Sequence, residues 1–227
     1  MRVRGASALL LFFATVVSRR AGSPSPSLTA TFIGNMAFAI TDGATTLYTD
    51  FPYESGAFGY MTYDFAAVPK TTGALCLITH GHRDHFDRSL FERMDSKVIA
   101  PPELEATLPR ERVVPFAPRM TYRDILVESF RTPHGSIDHA SYLVDWKGLR
   151  LYFTGDTDCA AALLAAKNLD AAFVSPWILG EVRKRGARID ARRIILYHHR
   201  SGEGPPPFQN AVAPRQGDVL VLQLPGS

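Results

Sequence analysis

The stretch Thr79-His80-Gly81-His82-Arg83-Asp84-His85-Phe86-Asp87 sets three of the chain's seven histidines and two aspartates in nine consecutive residues. It follows directly on the apolar run Ala74–Thr79, which reads as a strand buried on both faces. A loop leaving a strand end is where side chains converge on a site. His80 and His82 stand two apart, so in an extended loop they point the same way. Asp84 and His85 follow as the chain turns into a helix, which swings them toward a neighbouring point. Imidazoles and carboxylates are the ligands that zinc, manganese and iron accept. A chance cluster of polar loop residues is the competing reading, and this spacing argues against it.

Outward from this loop the chain reads as many short strands with a few helices between them. Leu28–Ile33, Ala37–Thr41 and Thr46–Asp50 are strands separated by the turn signals Gly34-Asn35 and Asp42-Gly43. Arg88–Asp95 reads as a short helix, Lys97–Ala100 and Ile125–Phe130 as strands, with a Pro-rich, partly helical stretch between those strands. Ser141–Trp146 and Leu149–Thr154 form a hairpin across Lys147-Gly148. Asp158–Asn168 is alanine-rich and predicts the best helix, capped by Asp156 or Thr157. Ala171–Val174, Ile194–Tyr197 and Val219–Leu224 are late strands. Strands mixed with helices in one body over residues 28–227 predict an α/β (α+β) sandwich of layers.

Composition narrows the classes. The 227 residues are 46% hydrophobic and 21% charged, enough apolar material for a core, which excludes disorder. Gly and Pro occur without a period, which excludes collagen-like structure. Two cysteines, Cys76 and Cys159, exclude a disulfide framework and a four-cysteine zinc site. Cys76 lies in the apolar strand and Cys159 inside the alanine-rich helix, so both read as buried. The net charge of +3 arises in the first 22 residues, where Arg2, Arg4, Arg19 and Arg20 have no acidic neighbour. The remaining 21 basic and 22 acidic residues leave a body near −1, with no electrostatic case for nucleic-acid binding.

The apolar run Ala8–Val17 is too short to span a bilayer and has the length and flanks of a signal-peptide core. Residues 1–22 therefore predict export, to the periplasm or out of the cell, with Gly22–Ser27 as a linker. No membrane-spanning segment is expected in the mature chain. A disordered extension or misassigned start is the competing reading and would leave the protein cytoplasmic.

Taken in chain order, the histidines and aspartates resemble the metallo-β-lactamase superfamily. The loop carries its His-x-His-x-Asp-His signature in His80, His82, Asp84 and His85. His134, in Thr132-Pro133-His134-Gly135, lies where the family places its third histidine, and Phe153-Thr154-Gly155-Asp156-Thr157 resembles its strand-ending Gly-Asp-Thr. His198 closes Ile194–His198 as the last strand-end histidine does, and Asp50 resembles the family's structural aspartate. Asp84-His85-Phe86-Asp87 looks nearest to the group holding the ascorbate-6-phosphate lactonases and the N-acyl-phosphatidylethanolamine phospholipase D enzymes, although Asn35 stands where that group often has His.

The resemblance implies a four-layer αββα sandwich and two divalent metals, zinc by default, with manganese or iron compatible with the same ligands. It places one ion on His80, His82 and His134, the other on Asp84, His85 and His198, and Asp156 between them. A metal-bound hydroxide would then cleave an ester, lactone, phosphodiester or amide of a small-molecule substrate, with Asp84 as the catalytic carboxylate. A mononuclear iron oxidoreductase of the same fold and a non-catalytic relative are the alternatives. His139 reads as a substrate contact or a support behind a ligand, and Asp87 as a support or a helix cap. Neighbours on a strand face opposite ways, so of His198 and His199 only one reaches the metals. His198 is the expected ligand, and His199 is left for the pocket rim.

Overall fold

The computed structural model describes residues 27–204 and 207–223. The predicted export signal and residues 23–26 of the linker lie outside the described residues. Among the described residues, no helix is long and apolar enough to cross a membrane.

Two sheets face each other. The first contains β1 (Ser27–Gly34), β2 (Ala37–Thr41), β3 (Thr46–Thr49), β4 (Ala74–Leu77), β5 (Ser96–Ile99) and the late strand β13 (Val219–Gln223). Its order is β13-β1-β2-β3-β4-β5. The strands between these in the chain are β6 (Arg119–Tyr122), β7 (Ile125–Arg131), β8 (Ala140–Trp146), β9 (Leu149–Phe153), β10 (Leu169–Val174), β11 (Ala191–Leu196) and β12 (Ala211–Val212). They form the second sheet, in the order β12-β11-β10-β9-β8-β7-β6.

The period of two in the apolar runs is what builds the layers. Leu75 and Leu77 of β4 enter the core between the sheets, whereas Ala74, Cys76 and Ile78 enter a second core on the outer face of the first sheet. Helix α1 (Arg88–Phe91) supplies Phe91 to that outer core. On the other side, Phe173 and Ile195 face the inner core, and Ala172, Val174, Ile194 and Leu196 face a third core. Helix α3 (Ala161–Ala165) and helix α4 (Pro176–Lys184) cover that third core with Leu163, Ile178, Leu179 and Val182. A short α2 (Pro102–Glu105) lies between β5 and β6. The result is the expected four-layer αββα sandwich. Phe173 is fully buried at its centre, edge-on to Phe38 at 4.9 Å and stacked on Phe153 at 4.6 Å. Truncating it to Ala is expected to cost about 3–5 kcal/mol.

Three expectations are corrected. The helix predicted over Asp158–Asn168 is confined to Ala161–Ala165, with Ala160 at its N-cap and no side chain capping it. Thr157 Oγ1 instead accepts the N–H of Cys159 at 3.1 Å, which ties residues 157–159 into a loop. Cys159 therefore lies outside the helix and is half-buried, whereas Cys76 is fully buried. The helix at Arg88 ends at Phe91 rather than Asp95. The longest helix, α4, was not foreseen. Pro176 opens it after Ser175, and Arg183 and Lys184 close its last turn, where cations favour the helix dipole.

β1, β3 and β4 run in one direction in their sheet, as do β7, β9 and β11 in theirs. The loops leaving these strands carry Asn35, Asp50, the His80–Asp87 stretch, His134, Asp156 and His198. Strand direction alone thus brings residues from all along the sequence to one edge of the sandwich.

Candidate metal centre

Three overlapping groups of side chains meet at this edge: His80, His82 and His134; His80, His85 and Asp156; and Asp84, His85 and His198. Within each group the ligand atoms lie within 4.8 Å of one another. All seven residues expected to hold metal are thereby brought together, with the third group completing a chain from His82 to His198. His80 Nε2 is 2.8 Å from His82 Nδ1. Asp156 Oδ2 sits 3.3 Å from His85 Nε2 and 3.2 Å from His198 Nε2. Asp84 Oδ2 is 3.4 Å from His198 Nε2. Asp156 lies in the middle group, with His80 and His85.

Several of these side chains are held from behind. Asp50 Oδ1 accepts the Thr79 N–H at 2.7 Å, and its Oδ2 lies 3.3 Å from His85 Nδ1. Asp50 thus ends the pairing of β4 and orients His85. His139 Nε2 accepts the Asp156 N–H at 2.9 Å, and its Nδ1 lies 2.9 Å from Thr132 Oγ1. Gly155 precedes Asp156 at φ +63°, and a Cβ there would collide with the His139 ring and with Thr79. Only glycine lets Asp156 approach its support so closely. Asn35 Nδ2 donates to the Asp84 carbonyl at 2.8 Å and reaches Asp84 Oδ2 at 3.4 Å. The Asn35 carbonyl accepts the His198 N–H at 2.8 Å. Sequence reasoning noted Asn35 and Thr79 but assigned neither of them this supporting place. Gly34-Asn35 announces a turn, and nothing local announces that the turn faces Asp84 and His198.

Asp87 caps α1, accepting the Leu90 N–H at 3.1 Å, so its place in Asp-His-x-Asp follows from helix capping. His199 points away from the cluster, stacked on Phe32 at 5.5 Å with Nδ1 3.1 Å from the Arg200 carbonyl. The choice of His198 matches the geometry, but the reason expected for it does not. β11 ends at Leu196, and His198 has a left-handed φ of +53°, so turn geometry rather than strand alternation separates the pair.

The buried charges of the cluster act strongly on one another. Burial opposes charge on His85, but Asp156 and Asp50 outweigh it and hold the imidazole well above its ordinary pKa. Burial alone would raise Asp156, but His85 and His198 hold it well below the carboxylate range. Burial dominates at Asp50 and raises its carboxyl, with His85 offsetting only part. At the other end burial pushes His80 far down, reinforced by His85, which leaves it the neutral imidazole that binds metals. His85 Nε2, Asp156 Oδ1 and His198 Nε2 are buried without a hydrogen-bond partner. Buried polar atoms are costly when unpaired, and these converge on one place. A metal ion would satisfy them, so the residues present fit bound metal.

Two clefts flank the cluster. One of about 420 Å³ opens beside His82, lined by Glu103, Leu104 and Ile137. The other, of about 600 Å³, adjoins His199, Met61, Glu203 and Arg215. A third cavity, of about 480 Å³, lies on the outer face of β1–β3 beside Tyr48 and Tyr63. Both of its tyrosine hydroxyls donate to backbone carbonyls, of Pro69 and Tyr53.

No family model matches the chain, and no curated protein matches it. Among solved structures the chain is similar to the metallo-β-lactamase fold protein YhfI from Bacillus subtilis, with a TM-score of 0.64 at 13% identity over 86% of this chain and 99% of that one. It is similar to Igni18, a metallo hydrolase from Ignicoccus hospitalis, with a TM-score of 0.63 at 13% identity over 87% and 99%. It is also similar to CmlA, a diiron β-hydroxylase from Streptomyces venezuelae, with a TM-score of 0.57 at 14% identity over 89% of this chain and 55% of that one. The chain has the metallo-β-lactamase fold.

Proposed function

We propose that the protein is a metal-dependent hydrolase that holds two divalent ions and cleaves an ester, lactone, phosphodiester or amide in a small-molecule substrate. The observation that carries this reading is the cluster itself: three ligand groups sharing His80 and His85, with buried unpartnered atoms aimed into it. His80, His82 and His134 would hold one ion and Asp84, His85 and His198 the other, with Asp156 shared. Ions bound there supply Lewis acidity toward a carbonyl or phosphoryl oxygen and lower the pKa of water toward neutrality. Asp84, steadied by Asn35, would orient the attacking water, take its proton as the water attacks, and return that proton to the departing oxygen or nitrogen as its bond breaks. The imidazoles of His80, His82 and His134 bring no negative charge, so that end of the site stays electron-poor and attracts the substrate oxygen.

The purified protein should contain close to two transition metals per chain, zinc foremost. Chelation should abolish hydrolysis across a panel of the four bond types, and zinc or manganese should restore it. Full activity in metal-free protein would overturn the proposal. Asp84→Asn should lower turnover on the order of 10²-fold or more, because an amide cannot take the proton. The likeness to a diiron hydroxylase makes iron the specific alternative. Iron-loaded protein that consumes oxygen without hydrolysing any of the panel would favour that reading.

A further inference from the structure

The segment Ser55–Met61 is strained and exposes an apolar side chain at the mouth of the cluster. Gly56, Phe58 and Gly59 all have left-handed backbone, with φ of +77°, +51° and +77°. Left-handed backbone is unfavourable for a residue with a large side chain, and Phe58 is also 59% exposed. Neither feature helps the fold. Strain and apolar exposure retained together point to a use in binding. Phe58 sits at 6.3 Å from the His82 ring, and two residues on, Tyr60 packs edge-on against His198 at 4.4 Å. Trp177, at the start of α4, meets the same His198 at 5.0 Å. Its Nε1 donates to the Thr157 carbonyl at 3.0 Å, which fixes the ring while leaving it 38% exposed.

We infer that Phe58, Tyr60 and Trp177 form an aromatic subsite across the two ends of the metal cluster, which grips an aryl or alkyl group beside the scissile bond of an uncharged acyl substrate. This deepens the hydrolase reading and rests on it. Three rings reach from His82 at one end of the cluster to His198 at the other, so a group lying across them is held next to both ends. Ring faces suit an apolar group, and the cations at this rim are Arg83 and Arg200, the latter over Tyr60 at 5.8 Å. Arg83, which lies over Phe58 at 5.3 Å, is paired with Glu54 at 3.1 Å and brings little net charge to that rim. Ring contacts of this kind discriminate by orders of about 10-fold in affinity.

Acetate and phenylacetate, the products of the corresponding acyl hydrolyses, test the subsite by calorimetric titration of the zinc-loaded protein. They share a carboxylate and differ by the ring. Phenylacetate should bind about 10-fold more tightly than acetate. Phe58→Gly should collapse that ratio toward one while leaving acetate binding and metal content unchanged, and thermal stability unchanged or higher because glycine adopts φ +51° freely. Trp177→Ala should narrow the ratio as well. Equal binding of the two carboxylates to the wild-type protein would overturn the subsite and leave the hydrolase reading standing. A protein that takes up no metal and binds neither carboxylate would overturn both. A ratio unaffected by Phe58→Gly and by Trp177→Ala would also overturn the subsite.

Discussion

His139 Nε2 accepts a hydrogen bond of 2.9 Å from the backbone N–H of Asp156. The acceptor must be an unprotonated nitrogen, so the ring is neutral and its Nδ1–H faces Thr132 Oγ1 at 2.9 Å. Burial, the main cause, lowers its pKa to about 3, so it stays neutral across the working range. His139 thus stands behind Asp156, and the geometry points to the supporting role of the two expected for it. His139→Ala should weaken metal binding by about 10- to 100-fold, whereas His139→Gln, whose carbonyl can accept the same N–H, should recover part of it. Competition with a chromophoric chelator measures both. Unchanged affinity in His139→Ala would end this assignment.

Asn35 offers a test that separates backbone from side chain. Its φ is +51°, and its amide holds Asp84. Asn35→Gly keeps the backbone and deletes the amide, so stability should change little while the metal site containing Asp84 weakens. Asn35→Ala should show the same loss and an added destabilisation of about 1 kcal/mol from the left-handed backbone. Urea unfolding and metal titration together distinguish the two effects.

The adjacent pair His198 and His199 should behave oppositely. His198→Ala removes a nitrogen 3.2 Å from Asp156 and should weaken the second metal by about 10-fold or more. His199→Ala removes a ring stacked on Phe32 and should lower stability by about 1 kcal/mol with metal content intact. Metal loss in His199→Ala with retention in His198→Ala would reverse the assignment.

The two cysteines should differ in reactivity. Cys76 is fully buried, and burial pushes its thiol up to about 12, so the nucleophilic thiolate is scarce and out of reach. Cys159 is half-buried in the loop after Asp156. Alkylation of the folded protein should label Cys159 alone, and alkylation in denaturant should label both, as read by mass spectrometry. Fast native labelling of Cys76 would show that β4 opens on the time scale of the reaction.

The sequence by itself determined the layers and the ligand types. Apolar runs such as Ala74–Ile78 and Ala171–Val174 are apolar on both faces, and a strand with two apolar faces must be covered on both sides, which requires a layered sandwich; that the layers number four followed from the family resemblance alone. The crowding of His80, His82, Asp84 and His85 announced metal chemistry because their spacing is local. Tertiary structure alone decided the rest. The length of the alanine-rich helix depended on where Thr157 spent its hydroxyl, and α4 gained its stability from apolar contacts with a sheet that no local window contains. The supports of the ligands are pairs far apart in sequence: Asn35 with Asp84, Asp50 with Thr79, His139 with Asp156. A hydrogen bond forms wherever strand direction and loop length bring donor and acceptor within about 3 Å. That proximity is a property of the assembled sheets, and so is the left-handed turn that aims His198 inward and His199 out.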